Sequence, residues 1–347
     1  MALERLKDWC GRASLLRRLY PAGAPVVVLL MYHDLRRDDD FPNWLRVAES
    51  DFAAQLDACA ELGDFIAPQD LFAPERLSRE RFSFLVTFDD GYRNNAELAA
   101  PLLAERRIPA LFFVSTGPLT SQQPFWTDVV VTPIQALRLR SLDLSDRGFG
   151  RFEFRAGGEA ARWDAIQRLL TAIKAVGNED HPQVAGLLGW LQEEYGAVLA
   201  EHLPRLRPLT ADEVRWMAAE RWCHFGSHGH DHRILTRLTD AELAHSLAHS
   251  RALLSDLTGR PCEHLAYPNG DHDARILAAA AMAGYRCGYT IRSGLVAGRV
   301  PALALPRLAV GGFDTPARLR FHLARTLLAL RRGRASKQLE LVGAPAH

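Results

Sequence analysis

Phe84-Leu85-Val86-Thr87-Phe88-Asp89-Asp90-Gly91-Tyr92 is an apolar run that stops at two adjacent carboxylates and a glycine. Apolar runs of this length bounded by glycine read as buried strands. Two neighbouring carboxylates at a strand end repel each other unless a positive centre sits beside them. A metal ion is the usual partner, since one carboxylate can ligate it while the other stays free as a base. Taken alone, the string also fits a strand end followed by an ordinary Asp-Gly turn. A second cluster far along the chain decides between the two readings.

That cluster is Phe225-Gly226-Ser227-His228-Gly229-His230-Asp231-His232. Imidazole is the commonest metal ligand among side chains. His228 and His232 stand four apart, so one helical turn would place them on the same face. Trp222-Cys223-His224-Phe225 reads as a short strand. This cluster therefore also sits at a strand end, where catalytic groups gather in parallel α/β folds. The alternative is a solvated histidine-rich turn, and the carboxylate pair argues against it.

Thr-Phe-Asp-Asp-Gly followed by Ser-His-x-x-x-His resembles the polysaccharide deacetylases, the NodB-like enzymes of carbohydrate esterase family four. Leu29-Leu30-Met31-Tyr32-His33-Asp34 is similar to the Tyr-His strand that opens many members. Pro109-Ala110-Leu111-Phe112-Phe113-Val114 resembles the strand after the carboxylate motif. Leu265-Ala266-Tyr267-Pro268-Asn269-Gly270-Asp271 resembles the third motif in its Tyr-Pro-x-Gly form. The resemblance covers roughly residues 25 to 120 and 209 to 312, with the motifs in the family's order. It implies that Asp90, His228 and His232 bind a divalent metal, that Asp89 is the general base, and that the backbone N–H of Asn269 helps hold the oxyanion. Zn2+ is the first expectation, with Co2+, Ni2+ or Mn2+ as alternatives. His230, between the ligands, is left out of the set. The implied fold is α/β, a distorted (β/α) barrel of about seven strands with a helical insertion; periodicity alone does not choose it over an open sheet.

Two positions depart from the family pattern. The arginine that orients the catalytic aspartate in many members is replaced by Ala266. The Leu-x-His motif that supplies the general acid is absent, and the corresponding strand reads Leu303-Ala304-Leu305-Pro306-Arg307-Leu308-Ala309-Val310. Arg307, a lone charge in that strand, reads as a surface-pointing side chain on an edge strand; a reach to Asp89 from a neighbouring strand is the alternative. For the acid, His322 lies in a segment that reads as a helix. His33 is better placed, because it ends one strand as Asp89 ends another, and both would reach one barrel mouth. Asp34 beside it would help keep the imidazole protonated. The competing reading of His33 is a brace at the barrel rim.

The 347 residues carry a formal net charge of +1 and 48% hydrophobic residues, as expected of a globular protein with a substantial core and no pull toward nucleic acid. Cys10, Cys59, Cys223, Cys262 and Cys287 are scattered and odd in number, which fits free thiols in a reducing compartment. No secretory signal opens the sequence, so a cytoplasmic location is expected, peripheral to the inner face of the membrane as a further option. Residues 3–20 have the pattern of an amphipathic helix, with Leu3, Leu6, Trp9, Leu15, Leu16 and Leu19 apolar and Arg5, Lys7, Arg12, Arg17 and Arg18 basic. Packing against the domain is the favoured role for it, and membrane-surface contact the alternative.

The organisation expected is an N-terminal amphipathic segment over 1–24, a barrel over 25–320, and a C-terminal helix and tail over 321–347. Strand and helix signals alternate along the barrel, which favours a mostly parallel sheet. Ser50 is placed as a helix cap, and Thr210-x-x-Glu213 and Thr239-x-x-Glu242 as capping boxes, the second helix stopping at Gly259. Between 121 and 208 strand signals are sparse, and Arg162–Val176 and Pro182–Leu199 read as helices; this is the insertion. Phe125-Trp126-Thr127-Asp128 opens it, and Trp126 fits sugar stacking or packing equally.

Two histidines and one aspartate leave open positions on a divalent ion, which suits hydrolysis of an N-acyl group on an amino sugar. The expected function is a metal-dependent hydrolase that removes an N-acyl, first of all N-acetyl, group from a glycan or glycan precursor. Its partner is the N-acylated sugar or glycolipid substrate, with no nucleic acid. His-x-His-Asp-His is one residue short of the metallo-β-lactamase pattern and lacks its following glycine pair. The two-His, one-carboxylate set also occurs in non-haem iron oxygenases, whose jelly-rolls of many short strands this helix-rich sequence does not match. The remaining alternative is a catalytically impaired carbohydrate-binding protein that keeps the metal site.

Overall fold

The computed structural model describes residues 13–21, 23–41, 43–154, 157–332 and 339–343. Its strands are β1 Val27–Tyr32, β2 Asp34–Arg36, β3 Arg46–Ala48, β4 Gly63–Phe65, β5 Phe82–Phe88, β6 Ala110–Val114, β7 Ser141–Leu144, β8 Gly150–Glu153, β9 Cys223–Ser227, β10 His264–Ala266, β11 Cys287–Ser293, β12 Arg299–Pro301, β13 Leu305–Ala309 and β14 Glu340–Val342. Seven of them close a parallel barrel in the order β1, β13, β11, β10, β9, β6, β5, with β5 returning to β1. Register is tightest at the closure, where Val27 to Tyr32 face Ser83 to Phe88 in step. The other edge of β5 is shared: β4 pairs with its first half, Phe65 opposite Phe84, and β6 with its second, Phe88 opposite Phe112. The barrel expected from the family resemblance is therefore the fold observed.

Strand alternation sorts the side chains into two cores. Val27, Leu29, Leu85, Leu111, Phe113, Tyr289 and Leu305 form one buried cluster. Val28, Leu30, Phe84, Val86, Phe88 and Phe112 belong to another, together with Phe52, Leu56, Leu247 and Leu254 of the covering helices. Both faces are buried, so β1 is an unbroken apolar run and β5 is interrupted only by the buried Ser83 and Thr87.

Thr210 and Thr239 each accept the backbone N–H three residues on, and Gly259 closes the helix Asp240–Thr258 at φ 65°. Ser50 is not a cap: the helix begins at Glu49 with Ala48 before it. Ser50 instead hydrogen-bonds Asp38.

The insertion has a core of its own. Val130, Ile134, Trp163, Ile166, Leu169, Ile173, Val184 and Leu187 pack together, drawn from helices Trp126–Ala136, Gly158–Val176 and Pro182–Glu194. It is not purely helical, because β7 and β8 form an antiparallel hairpin within it. The run expected to stay helical from Pro182 to Leu199 breaks at Tyr195 into two helices.

The C-terminal helix Pro316–Arg332 begins before residue 321. Of the N-terminal amphipathic segment, residues 1–12, with Cys10, lie outside the described residues. Ala13–Leu19 is helical, Leu16 is fully buried, and Arg17 donates to the Glu61 carbonyl, so this part lies on the domain. Cys59, Cys223, Cys262 and Cys287 are free, buried thiols. Among the described residues no helix is long and apolar enough to cross a membrane.

Candidate active site

Parallel strands deliver their C-terminal ends to one mouth of the barrel. His33 follows β1, Asp89 and Asp90 follow β5, His228 follows β9, and Asn269 follows β10. Asp89 continues the strand, its N–H donating to the Tyr32 carbonyl. Asp90 then takes φ 73° and Gly91 φ 86°. This left-handed step is costly for a residue with a Cβ and gathers at functional sites. It turns the two neighbouring carboxylates in different directions.

Asp90 faces the histidines. Its Oδ1 lies 3.2 Å from His228 Nε2 and 3.1 Å from His232 Nε2. Burial alone would raise the Asp90 carboxyl, but the His232 charge and the contacts from both imidazoles hold it well below the usual range. His228 Nδ1 lies 2.8 Å from the Ala266 carbonyl; donating there fixes the tautomer that leaves the Nε2 lone pair toward Asp90. Ligand atoms of Asp90, His228 and His232 all lie within 4.8 Å of one another, the only such group among the described residues. Three lone-pair donors converging on one buried point are the donor set a divalent cation takes, so the residues fit a metal. The two histidines do not meet through a helical turn, as their spacing suggests. The segment after β9 is a loop in which Gly229 sits at φ 75° and His232 at φ 57°. The Phe125 ring meets His232 edge-on at 5.2 Å.

Asp89 faces the other way and is held by Arg307. The guanidinium reaches both carboxylate oxygens, at 2.6 and 2.7 Å, the paired geometry that arginine matches best. It also donates to the Thr290 carbonyl at 3.0 Å and to Thr87 Oγ1 at 3.2 Å. Arg307 is 0% exposed, which overturns its reading as a surface residue on an edge strand. The physical reason is closure: β13 is paired on one side with β1 and on the other with β11, so it has no edge. Burial would raise the Asp89 carboxyl; Arg307, His228 and His33 outweigh that and hold it below its ordinary value. Arg307 thus supplies the partner that Ala266 does not.

His33 is half-buried at the same mouth and feels Asp90, Asp89, Arg307 and His228. Burial lowers its pKa more than the two carboxylates raise it. Asp34 does not serve it. That carboxylate is committed to Arg46 at 3.0 Å, to the Leu35 N–H and to Asn94, with burial lifting its pKa to about 6. His322 lies within the C-terminal helix, as its sequence suggests.

Asn269 stands at φ 57° in the short turn Pro268–Gly270. Its side chain is fixed at both ends: Lys174 Nζ donates to Oδ1 at 2.6 Å, and Nδ2 donates to Asp271 at 2.5 Å. Lys174 comes from the insertion and lies 6.0 Å from the centre of the Trp126 ring. Trp126, Lys174, Glu179, His232 and Asn269 line one cleft. The insertion therefore forms a wall of the site. No motif signals Lys174, and only the fold brings it to Asn269. Beside the site, Tyr92 donates to Asp128 at 2.9 Å. Burial pushes the Asp128 carboxyl up to about 8, against the Tyr92 hydrogen bond and with help from Asp34 and Asp90.

A family model described as polysaccharide deacetylase matches residues 77–147 and 159–288. Among solved structures, the fold is similar to a Streptococcus pyogenes deacetylase, PplD, in complex with acetate, at 17% identity over 88% of this chain and 99% of that one, TM-score 0.56. IcaB from Ammonifex degensii is similar at 18% identity over 86% and 97% of the two chains, TM-score 0.52. A de-N-acetylase from Aggregatibacter actinomycetemcomitans is similar at 11% identity over 86% and 99%, TM-score 0.52. At these identities the three structures speak for the fold alone. No curated protein matches the sequence. The family model, by contrast, spans more than half of the residues and runs through the strands that carry Asp89, Asp90, His228 and Asn269, and on that match the chain belongs to the polysaccharide deacetylase family.

Proposed function

We propose that this protein is a metal-dependent hydrolase that removes an N-acyl group, first of all N-acetyl, from an amino sugar in a glycan or glycan precursor. The observation that carries the reading is the division of labour between adjacent carboxylates: Asp90 turned to two histidines, Asp89 clamped by Arg307. Asp90, His228 and His232 would hold a divalent ion, Zn2+ the first candidate, which when bound would polarise the acyl carbonyl and make a water more acidic. Asp89, kept ionised by Arg307, takes the proton from the attacking water. The Asn269 N–H is offered to the developing oxyanion, its turn braced through Lys174 and Asp271. His33 gives a proton to the departing nitrogen. The amine then leaves neutral, Asp89 returns its proton to His33, and the carboxylic acid gives its remaining proton to solvent as it leaves as a carboxylate.

The impaired, sugar-binding alternative drew its force from the missing motif arginine, and Arg307 removes that ground. Free buried thiols support a reducing, cytoplasmic setting, and with it a lipid-linked or nucleotide-linked sugar as substrate. A membrane-surface role for residues 3–20 rests on their sequence pattern alone. The deciding experiment is mass spectrometry of N-acetylated glycolipids and sugar precursors after incubation with zinc- or cobalt-loaded protein. Loss of one acyl group, absent with Asp89→Asn, is the expected result. Metal-replete protein that retains glycan but turns over no acyl substrate would establish the binding role instead.

A further inference from the structure

Two of the three histidines in the loop after β9 belong to the site just described. The third, His230, turns away from it toward the helix Asp240–Thr258. There it meets His245 and His249, which stand four apart and so share one face of that helix. The ring centres are 5.7 Å apart for His230 and His245, 4.7 Å for His230 and His249, and 5.2 Å for His245 and His249.

We propose that His230, His245 and His249 form a second metal site, a three-imidazole site for a divalent transition ion on the outer face of the domain. Metal–nitrogen bonds of about 2.0–2.1 Å at tetrahedral angles put the ring centres of imidazoles sharing one ion about 5 Å apart. The three separations bracket that value. The protein carries its own yardstick, since His228 and His232 have ring centres 5.1 Å apart. A mutually close set of imidazoles suits zinc, copper or nickel ions, with the fourth position open to water.

The arrangement is built at one corner and adjustable at the other two. His230 Nδ1 lies 2.8 Å from Thr116 Oγ1, and its N–H donating there leaves Nε2 as the ligand atom. The His230 backbone N–H is fixed to Ser246 Oγ at 3.0 Å, which pins this loop residue to the same helix. His245 and His249 are exposed. Their nitrogens do not yet converge as those of Asp90, His228 and His232 do. Turning an exposed ring about its Cβ–Cγ bond moves the nitrogens while leaving the ring centre nearly in place, and such rotations are fast and cheap. An ion bound there would strap the loop carrying His228 and His232 to a long helix. The site does not depend on the catalytic reading.

The test is a titration of the full chain, stripped by chelator, with zinc or nickel ions, followed by calorimetry. Wild type is expected to show two classes of site. His245→Ala/His249→Ala should lose one class and keep the other, together with its hydrolytic activity in one-equivalent metal. Alanine at exposed helix positions leaves the fold intact, which circular dichroism checks. Asp90→Ala/His228→Ala should lose the complementary class. Thr116→Val, which removes only the hydroxyl beside His230, should weaken the second class by about 10–100-fold. A single class in wild type that persists in His245→Ala/His249→Ala, or two classes unchanged in that variant, would overturn the proposal.

Discussion

Replacing Arg307 by Met keeps length and apolar bulk but removes the charge from a buried pair. The side chain gives up two hydrogen bonds to Asp89 and one each to Thr290 and Thr87. The larger penalty comes from the carboxylate left behind, since breaking a buried pair by deleting one partner costs about 3–5 kcal/mol. Asp89 can escape part of it by protonating. Its pKa is held down by Arg307 against burial, so without Arg307 burial prevails and the pKa rises. Conversion of that cost into protonation moves the pKa upward. The sign for stability follows. A depressed carboxyl contributes stability above its unfolded pKa and loses it as pH falls, so the gap between wild type and Arg307→Met is widest at neutral pH and closes in acid. Urea unfolding at several pH values measures the gap, and the pH profile of kcat/KM measures the base. The acid limb should move upward in the variant. Adding Asp89→Asn removes the stranded charge, and the double variant should be about 1–3 kcal/mol more stable than the sum of the single losses. If Arg307→Met unfolds within about 0.5 kcal/mol of wild type, as surface substitutions do, and its acid limb stays in place, the clamp is not holding the base.

Replacing Asp90, His228 or His232 by Ala should sharply reduce tightly bound metal, whereas Asp89→Asn should keep metal and fold but lose about two to four orders of magnitude in rate. Metal analysis of the purified variants checks this, and equal metal loss in Asp89→Asn and Asp90→Asn would contradict the division of labour. His33→Ala should keep metal and substrate binding, lose most of its rate on amides, and be far less impaired on an activated acetyl ester, whose leaving group needs no proton; matched losses on both substrates would remove His33 from the acid role. Asp128, with a folded pKa of about 8 against an ordinary 3.8, contributes stability that is fully present below the unfolded value and lost as pH rises through about 8. Asp128→Asn should therefore flatten the fall in melting temperature between about pH 4 and pH 8, and an unchanged slope would show that the carboxyl does not titrate there.

Much of the site was legible because it depends on strand ends, and strand ends leave local marks. Apolar runs stopping at Asp89, His33 and His228 announce both the barrel and the residues at its mouth. What was not legible depends on closure and on crossings between distant segments. Arg307 could be seen as a lone charge in an apolar strand, but whether that strand had an edge is a property of the whole ring. The coupling of Lys174 to Asn269 joins residues 95 apart in sequence across two separately packed cores, and no periodicity reports such a meeting. The loop geometry at His228 to His232 is not legible in the sequence, because spacing of four is shared by a helical turn and by a loop with two left-handed residues. Asp34 serves Arg46 and not His33 for a similar reason: adjacency says nothing about direction along an extended chain, where successive side chains point oppositely.

The bond between Lys174 and Asn269 also bears on what can enter. Lys174 is half-buried among Trp126, Asn269 and the ligand loop, and burial lowers its pKa against the pull of Asp90 and Asp271. A ligand threading between the tryptophan and the turn separates the ammonium from its acceptor. If it presents a hydroxyl or carbonyl oxygen at that point, the ammonium changes partner and little is lost. If it presents only carbon, a partly desolvated cation is left bare, at a cost above the roughly 1–3 kcal/mol of a neutral group. The insertion thus sets a condition on any guest at that point, since only a hydrogen-bond acceptor replaces Asn269 beside the Lys174 ammonium without loss.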